Sequence, residues 1–134
     1  MSIENFDDLL RLAQQQAQPQ RLLLVFANAE LPDDATPAQR ADFENGEGGA
    51  LVPHMCVDKL PGELGNFQQL QQESAAHAPH WAMVFVSALS GTQGQAPTSQ
   101  AAEPHLQRMV EMVRLGQLDG LIPFGRDGRA VHLG

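Results

Sequence analysis

The chain has 134 residues and a hydrophobic content of 43%, which is typical of one globular domain covering residues 1–134. Its 16 acidic residues outnumber its 8 basic residues, so the formal net charge is −8. This acidity argues against binding to nucleic acid and to anionic membranes, since both need a basic surface.

Cys56 is the only cysteine, so no disulfide can form within the chain and a reducing compartment is favoured. The acidic, amphipathic N-terminus differs from a signal peptide, and no apolar run reaches the ~20 residues of a membrane span. We therefore expect a cytoplasmic protein.

The first predicted elements are a helix and a buried strand. Ser2–Ala17 has apolar residues at helical spacing, with Ser2 as its N-cap, and Pro19 follows its end. Leu22–Ala27 lies in the most apolar run of the chain and does not alternate with polar residues. A strand of this kind buries both faces, so we expect it at the centre of a sheet.

A short helix and an outer strand complete the first half of the chain. Thr36 and Gln39 form the pattern of a capping box around a proline, and this predicts a helix that ends near Asn45. Ala50–Val57 has the composition of a strand but contains Pro53. Because proline cannot donate a ladder hydrogen bond, we expect an edge strand or a strand with a bulge.

The second half is predicted to repeat this order of elements. Pro61–His77 carries an apolar stripe beside a face rich in glutamine, which indicates a helix, and Trp81–Leu89 is the second apolar strand. Ser90–Ser99 is rich in turn-forming residues and is predicted to be a mobile loop. Glu103–Leu115 is the last predicted helix, with Pro104 in its first turn.

Turn signals mark the C-terminal end of the chain. Gly116 is expected to terminate the last helix. Leu121–Phe124 and Ala130–Leu133 flank the loop Gly125–Arg129, which contains Asp-Gly, and this pattern predicts a β-hairpin.

Residues 1–59 and 60–134 share an αβαβ order, and each half has a proline in its second strand, Pro53 and Pro123. Proline is uncommon inside strands, so the shared position favours an internal duplication, although similar strands and turns drawing on the same few residues would also explain it. We expect the strands beginning at Leu22 and Trp81 in the centre and the proline-bearing strands outside.

The predicted fold is therefore α/β, with a mixed sheet of four or five strands, helices packed on it and two similar halves. A two-layer α+β sandwich is the alternative.

His54 and Cys56 are the candidate reactive or ligand residues. Residues two apart in a strand share a face, so the imidazole and the thiol could point together. They would then form half of a zinc or copper site, or a thiolate activated by imidazole. The alternative is a buried cysteine acting as a small hydrophobic residue. A metal site would need further ligands from elsewhere, so we predict neither a metal nor a cofactor.

The loops that follow the two apolar strands supply the remaining candidates. Ligands of an open α/β sheet bind where parallel strands end, so polar residues at those ends are placed near any site by geometry alone. These residues are Asn28 and Glu30 after the first strand and Ser87 and Ser90 at the end of the second. Asp33 and Asp34 in the first loop are candidate carboxylates, and the alternative for them is a solvated turn or capping role. Asp58 and Glu63 are further candidate carboxylates.

Several segments together, FANAELPDDATPAQR, GEGGALVPHMCVDK, VFVSALSG and FGRDGR, resemble a small uncharacterised family of proteobacterial proteins. The resemblance covers nearly the whole chain and implies no functional residues. Members are sometimes labelled as the alpha subunit of ribonucleotide reductase. That enzyme needs a catalytic cysteine and a redox-active pair, and this chain has one cysteine, so the sequence contradicts the label.

The sequence contains no clustered catalytic set and no phosphate-binding or metalloprotease motif. The leading functional prediction is therefore a non-enzymatic accessory or protein-binding module of the cytoplasm, with a protein partner or self-association. The alternative is a small-molecule or metal-binding enzyme that uses His54 and Cys56.

Overall fold

The computed structural model describes residues 3–31, 34–45 and 50–131. The helices are α1 (Phe6–Gln14), α2 (Pro37–Glu44), α3 (Pro61–Leu64), α4 (Phe67–His77) and α5 (Ser99–Arg114). The strands are β1 (Gln20–Glu30), β2 (Ala50–Lys59), β3 (Met83–Ser90) and β4 (Ile122–Gly125). Within these ranges no helix is both long enough and apolar enough to cross a membrane.

The four strands form one sheet in the order β2-β1-β3-β4, and every neighbouring pair is antiparallel. A four-stranded sheet with helices packed on it confirms the fold class. The predicted mixture of strand directions is wrong, and the sheet has the antiparallel pairing of the α+β alternative. The reason is visible between β1 and β2, because Ala50 lies opposite Glu30 and the connection returns to the end where it began.

β1 is central, as predicted, and each residue from Leu22 to Ala27 is buried. β3 is the other central strand, and the outer strands β2 and β4 contain Pro53 and Pro123. The predicted placement of the proline-bearing strands is therefore confirmed. The duplication itself stays a prediction.

Helices cover both faces of the sheet. On one face, α1, α3 and α4 pack on β1 and β3 around an aromatic group, in which the ring centroids of Phe26 and Trp81 are 5.1 Å apart. On the other face, Ala102, Leu106 and Met109 of α5 pack against β1. No residue of α2 is buried, so this helix adds nothing to either core cluster.

The predicted helix Pro61–His77 is wrong in one respect, because it is two helices separated by Gly65 and Asn66. Gly65 has a φ of +66°, a conformation that ends the first helix and that glycine adopts without a Cβ clash. The Asn66 side chain then accepts a hydrogen bond of 2.9 Å from the Gln69 amide and caps the second helix.

The first helix is shorter than Ser2–Ala17, and its N-cap is Asn5, whose side chain accepts a hydrogen bond from the Asp8 amide. Ser2 lies outside the described residues. The chain before α1 is held extended because it pairs with the C-terminal hairpin: Asn5 bridges to Arg129, and the Ala130 amide donates to the Glu4 carbonyl at 2.8 Å.

The last helix begins at Ser99, earlier than the predicted Glu103. Thr98 caps it by accepting a hydrogen bond of 3.0 Å from the Ala101 amide, and this cap outweighs the preference of proline for a first turn. Pro104 consequently lies inside the helix, contrary to the prediction. Gly116, with a φ of +74°, follows the end of the helix as expected.

The predicted C-terminal hairpin is confirmed in its described part. The amide of Gly125 donates to the carbonyl of Arg129 at 2.9 Å, and Phe124 bridges to Ala130. The rest of the predicted return strand, residues 132–134, lies outside the described ranges.

Candidate functional site

A groove of about 360 Å³ runs between β2 and α4 at the edge of the sheet; we call it the β2–α4 groove. Its lining consists of Phe26, Met55, Val57, Lys59, Leu70, Glu73, Ser74, Ala76 and His77. Its volume lies within the roughly 300–1,000 Å³ that is usual for binding sites in proteins, and most of its lining is apolar.

The sequence builds this groove from two periodicities. Met55 and Val57 share a face of β2, because residues two apart in a strand point to the same side. Leu70, Ser74 and His77 share a face of α4, because residues four and three apart in a helix are neighbours. The walls are therefore one strand face and one helix face, with buried Phe26 of β1 below them.

Hydrogen bonding fixes the α4 wall. The Trp81 indole N–H donates to the Ser74 hydroxyl at 2.8 Å, and that hydroxyl donates to the Gln71 carbonyl at 3.1 Å. Both partners of the first bond are almost completely buried. The wall is thereby anchored to the aromatic core.

The ionisable groups of the groove lie at its rim. Lys59 Nζ is 3.6 Å from Glu73 Oε2, so an ion pair joins the end of β2 to the middle of α4. His77 is exposed in the last turn of α4. Polar groups at an apolar groove can orient a ligand while the floor supplies buried area.

The β2 strand beside the groove is an open edge of the sheet. In the described part of the chain β2 pairs only with β1, so alternate backbone groups of β2 point away from the sheet. The opposite edge is different, since the Val131 amide donates to the Pro123 carbonyl of β4 at 3.0 Å. The chain thus covers part of the β4 edge with its own C-terminal segment.

A bulge divides β2. The register with β1 shifts so that Phe26 lies opposite Met55 while Ala27 lies opposite Pro53, which leaves His54 as the extra residue. The bulge and the proline confirm the expectation for this strand and interrupt its open edge. Regular pairing is available from Met55 to Lys59, the part of β2 that lines the groove.

The two candidate reactive residues have separate surroundings. His54 is exposed, and its Nε2 lies 3.4 Å from Oε1 of Glu30 on β1. Cys56 packs against the core cluster under α5. Within the described ranges, no three His, Cys, Asp or Glu side chains are grouped so that they could hold a metal ion.

The surroundings of Cys56 favour the protonated form of its thiol. Burial raises its pKa, and the negative charges of Glu103 and Asp58 raise it further. An activated thiolate needs the opposite, a lowered pKa beside a cation. These surroundings favour the packing role of Cys56 over the reactive one.

The antiparallel sheet does not bring the loop candidates together. β1 and β3 run in opposite directions, so Asn28 and Glu30 lie at one end of the sheet and Ser90 at the other, opposite Gln20. The Ser90 hydroxyl accepts a hydrogen bond of 3.1 Å from the Gln20 side chain, and the Asn28 side-chain oxygen accepts one from the Ala29 amide. Asp34 is exposed in a turn, and Asp33 lies outside the described residues.

Ser87 lines a second cavity, of about 220 Å³, on the face of the sheet that carries α5; we call it the α5 cavity. Its other lining residues are Leu23, Leu89, His105, Arg108, Met109, Met112, Asp119, Gly120 and Leu121. It is separated by the sheet from the β2–α4 groove, because Leu23 and Phe26 belong to opposite core clusters.

Arg21 and Asp58 form a nearly buried ion pair beneath the start of α5, with Arg21 Nη1 2.6 Å from Asp58 Oδ2. Arg21 Nε also donates to the Pro97 carbonyl at 2.6 Å, and the Ser99 hydroxyl donates to Asp58. The candidate carboxylate Asp58 is therefore occupied in tying α5 to the sheet. The other, Glu63, accepts a hydrogen bond from the Leu60 amide at the start of α3.

Several lining residues were not identified by sequence reasoning. Lys59, Glu73 and Arg108 are surface charges separated in the chain, and only the antiparallel topology places them at cavities. One sequence pattern does indicate the groove: Pro53 predicts an edge strand, and a helix with an apolar stripe follows that strand directly.

Comparison of the chain with protein-family models, with curated proteins and with solved structures finds no match. The resemblance to the proteobacterial family stays a prediction.

Proposed function

We propose that the protein is a non-enzymatic, protein-binding accessory module of the cytoplasm, and that its binding surface is the open edge of β2 together with the β2–α4 groove. The observation that carries the proposal is that the open edge of β2 and the β2–α4 groove lie along the same residues. Met55–Lys59 pairs regularly with β1, has no strand partner on its outer side in the described part of the chain, and is the part of β2 that lines the groove.

An extended segment of a partner would add to the sheet beside β2. Main-chain hydrogen bonds to the free edge would supply affinity, and alternate side chains would enter the groove, as in other examples of β-strand addition. The side chains that enter would contact Met55, Val57 and Leu70, so they should be apolar. The bulge at His54 would mark one end of the pairing.

The charge of the chain specifies the partner further. A net charge of −8 attracts basic segments and repels acidic ones, and this steers association before contact. At the groove, Lys59 is already paired with Glu73, so it adds little attraction for an anion. A partner segment with apolar residues at alternate positions and basic residues between them fits both features.

Affinity capture from cell lysate tests the proposal. The wild-type protein should retain a specific partner, and Val57→Lys should lose it, because this change places a charge in the apolar groove. Gln68→Lys is the matched control, since it adds the same charge on the exposed face of α4 outside the groove. Equal recovery by Val57→Lys, or no specific partner at all, would contradict the proposal.

Self-association is the second candidate, because the same open edge lets two copies pair their β2 strands. Light scattering of the purified protein distinguishes the two: a dimer that Val57→Lys dissociates indicates self-association. An enzyme that uses His54 and Cys56 stays an untested alternative, and the raised pKa of the Cys56 thiol counts against it.

A further inference from the structure

The α5 cavity is a three-walled site of a size suited to a small molecule. Its walls are α5, the strands β1 and β3, and the loop between α5 and β4. The volume of about 220 Å³ is below the roughly 300–1,000 Å³ of sites for drug-sized ligands and about seven times the volume of a water molecule in the liquid. Its apolar surface is formed by Leu23, Leu89, Met109, Met112 and Leu121.

Two opposite charges at the rim do not neutralise each other. Arg108 and His105 lie one turn apart on α5, and Asp119 lies on the following loop. Among the described residues neither Arg108 nor Asp119 has an ion-pair partner, although both line this cavity. Each is therefore available to an opposite charge on a ligand.

We infer that the α5 cavity binds a small zwitterion with an apolar side chain, the chemistry of a free α-amino acid such as leucine or methionine. The ligand carboxylate pairs with the Arg108 guanidinium, beside His105. The ligand ammonium pairs with the Asp119 carboxylate, and the side chain covers the apolar surface around Met109. This site lies on the opposite face of the sheet from the β2–α4 groove and does not depend on its function.

Other ligand classes use only part of this lining. A simple anion pairs with Arg108 but leaves the carboxylate of Asp119 without a partner. A simple cation pairs with Asp119 but leaves the guanidinium of Arg108 without a partner. An uncharged apolar molecule uses neither charge. Only a ligand with both charges and an apolar body satisfies the whole cavity.

Titration of the wild-type protein with four ligands, followed by ¹H–¹⁵N NMR, tests the inference. L-Leucine should give saturable shifts of the amide signals of Met109, Gly120 and Leu121. N-Acetyl-leucine lacks the ammonium group and leucinamide lacks the carboxylate, so each should bind about tenfold more weakly, the expected effect of one charged hydrogen bond. Glycine keeps both charges without a side chain and should also bind at least about tenfold more weakly.

Two variants assign the charges to residues. Arg108→Gln and Asp119→Asn should each weaken leucine binding about tenfold. Arg114→Gln is the matched control, because Arg114 is an exposed arginine of the same helix that pairs with Glu111 outside the cavity, and it should leave binding unchanged. No saturable shifts with leucine would overturn the inference. N-Acetyl-leucine binding as tightly as leucine would also overturn it, because the site would then recognise only an anion.

Discussion

Arg21 and Asp58 are charged side chains that are largely withdrawn from solvent, with 12% and 18% of their side-chain surface exposed. Replacing Arg21 by Met should lower the free energy of unfolding by about 2 kcal/mol, because Asp58 would stay near the interior without its cation and the Pro97 carbonyl would lose its donor. Urea denaturation measures the change.

The control for this prediction is Arg114→Met on the surface of α5, where the paired arginine and glutamate are 56% and 57% exposed. Exposed ion pairs contribute little to stability, so the unfolding midpoint should barely move. Equal losses from the two changes would show that Arg21 does not act through a buried pair.

Cys56 allows a test of its chemical state. Because burial and the charges of Glu103 and Asp58 raise its pKa, a smaller fraction is thiolate at pH 8 than in free cysteine. Alkylation by iodoacetamide should therefore be slower than for free cysteine. Glu103→Gln removes one of the charges that raise the pKa and should speed the reaction. Glu111→Gln, on the same helix, should not.

The reactive alternative for Cys56 makes the opposite prediction. If the wild-type protein reacts as fast as free cysteine or faster at pH 8, and His54→Ala slows the reaction, imidazole activates the thiol. That result would return His54 and Cys56 to the position of candidate active-site residues.

At the scale of the elements, the C-terminal hairpin depends on close contact with α4. Gly128 has a φ of +83°, and a Cβ there would lie 2.7 Å from Phe67 Cδ2 of the aromatic core. Gly120 has the same φ but no atom within 4 Å of its Cβ position. Alanine substitutions at these two glycines therefore distinguish the cost of backbone strain from the cost of overpacking.

Thermal denaturation of the two alanine variants should show this difference. Gly120→Ala should cost about 1 kcal/mol through the left-handed backbone alone. Gly128→Ala should cost about 1–3 kcal/mol more, because the Phe67 ring is packed against Phe6 and Trp81 and cannot move freely. If the two variants have the same thermal midpoint, the hairpin can move away from α4 without a loss of stability.

Local signals in the sequence located most elements. The burial of Leu22–Ala27 and the capping box at Thr36 each depend on a few adjacent residues, and both predictions are confirmed. For the strand with Pro53 the prediction is an edge position or a bulge, and the structure has both. The helix break at Gly65 is not predicted, because the apolar stripe continues across the glycine. The start of α5 at Ser99 is not predicted either, because the cap at Thr98 outweighs the preference of Pro104 for a first turn.

The candidate sites were harder to predict, because they depend on strand direction. Helices between the predicted strands suggest parallel strands, and parallel strands would place Asn28 and Ser90 at the same end of the sheet. The antiparallel sheet separates them and brings β2 beside α4 instead. Only the three-dimensional packing places Lys59 beside Glu73, or Arg108 and Asp119 around one cavity.

At the scale of the whole molecule, the two edges of the sheet are unequal. The chain covers part of the β4 edge with its own C-terminal segment, whereas within the described residues β2 pairs with β1 alone. Exposed edges invite pairing with other chains, and Pro53 with its bulge limits that pairing to the stretch beside the groove. Within the described residues, the sheet thus has a short, regular open edge at residues 55–59 of β2, in a chain with a net charge of −8.

The most direct test of this account is hydrogen exchange of the backbone amides with a bound peptide, chosen from a random library displayed on phage and selected on the immobilised protein. The selected peptide should have alternating apolar residues and a positive charge, and slowed exchange should be concentrated at residues 55–59 of β2. Val57→Lys should abolish this protection, and Gln68→Lys should keep it. Protection elsewhere with β2 unchanged, or a failure to select any peptide, would contradict the central claim.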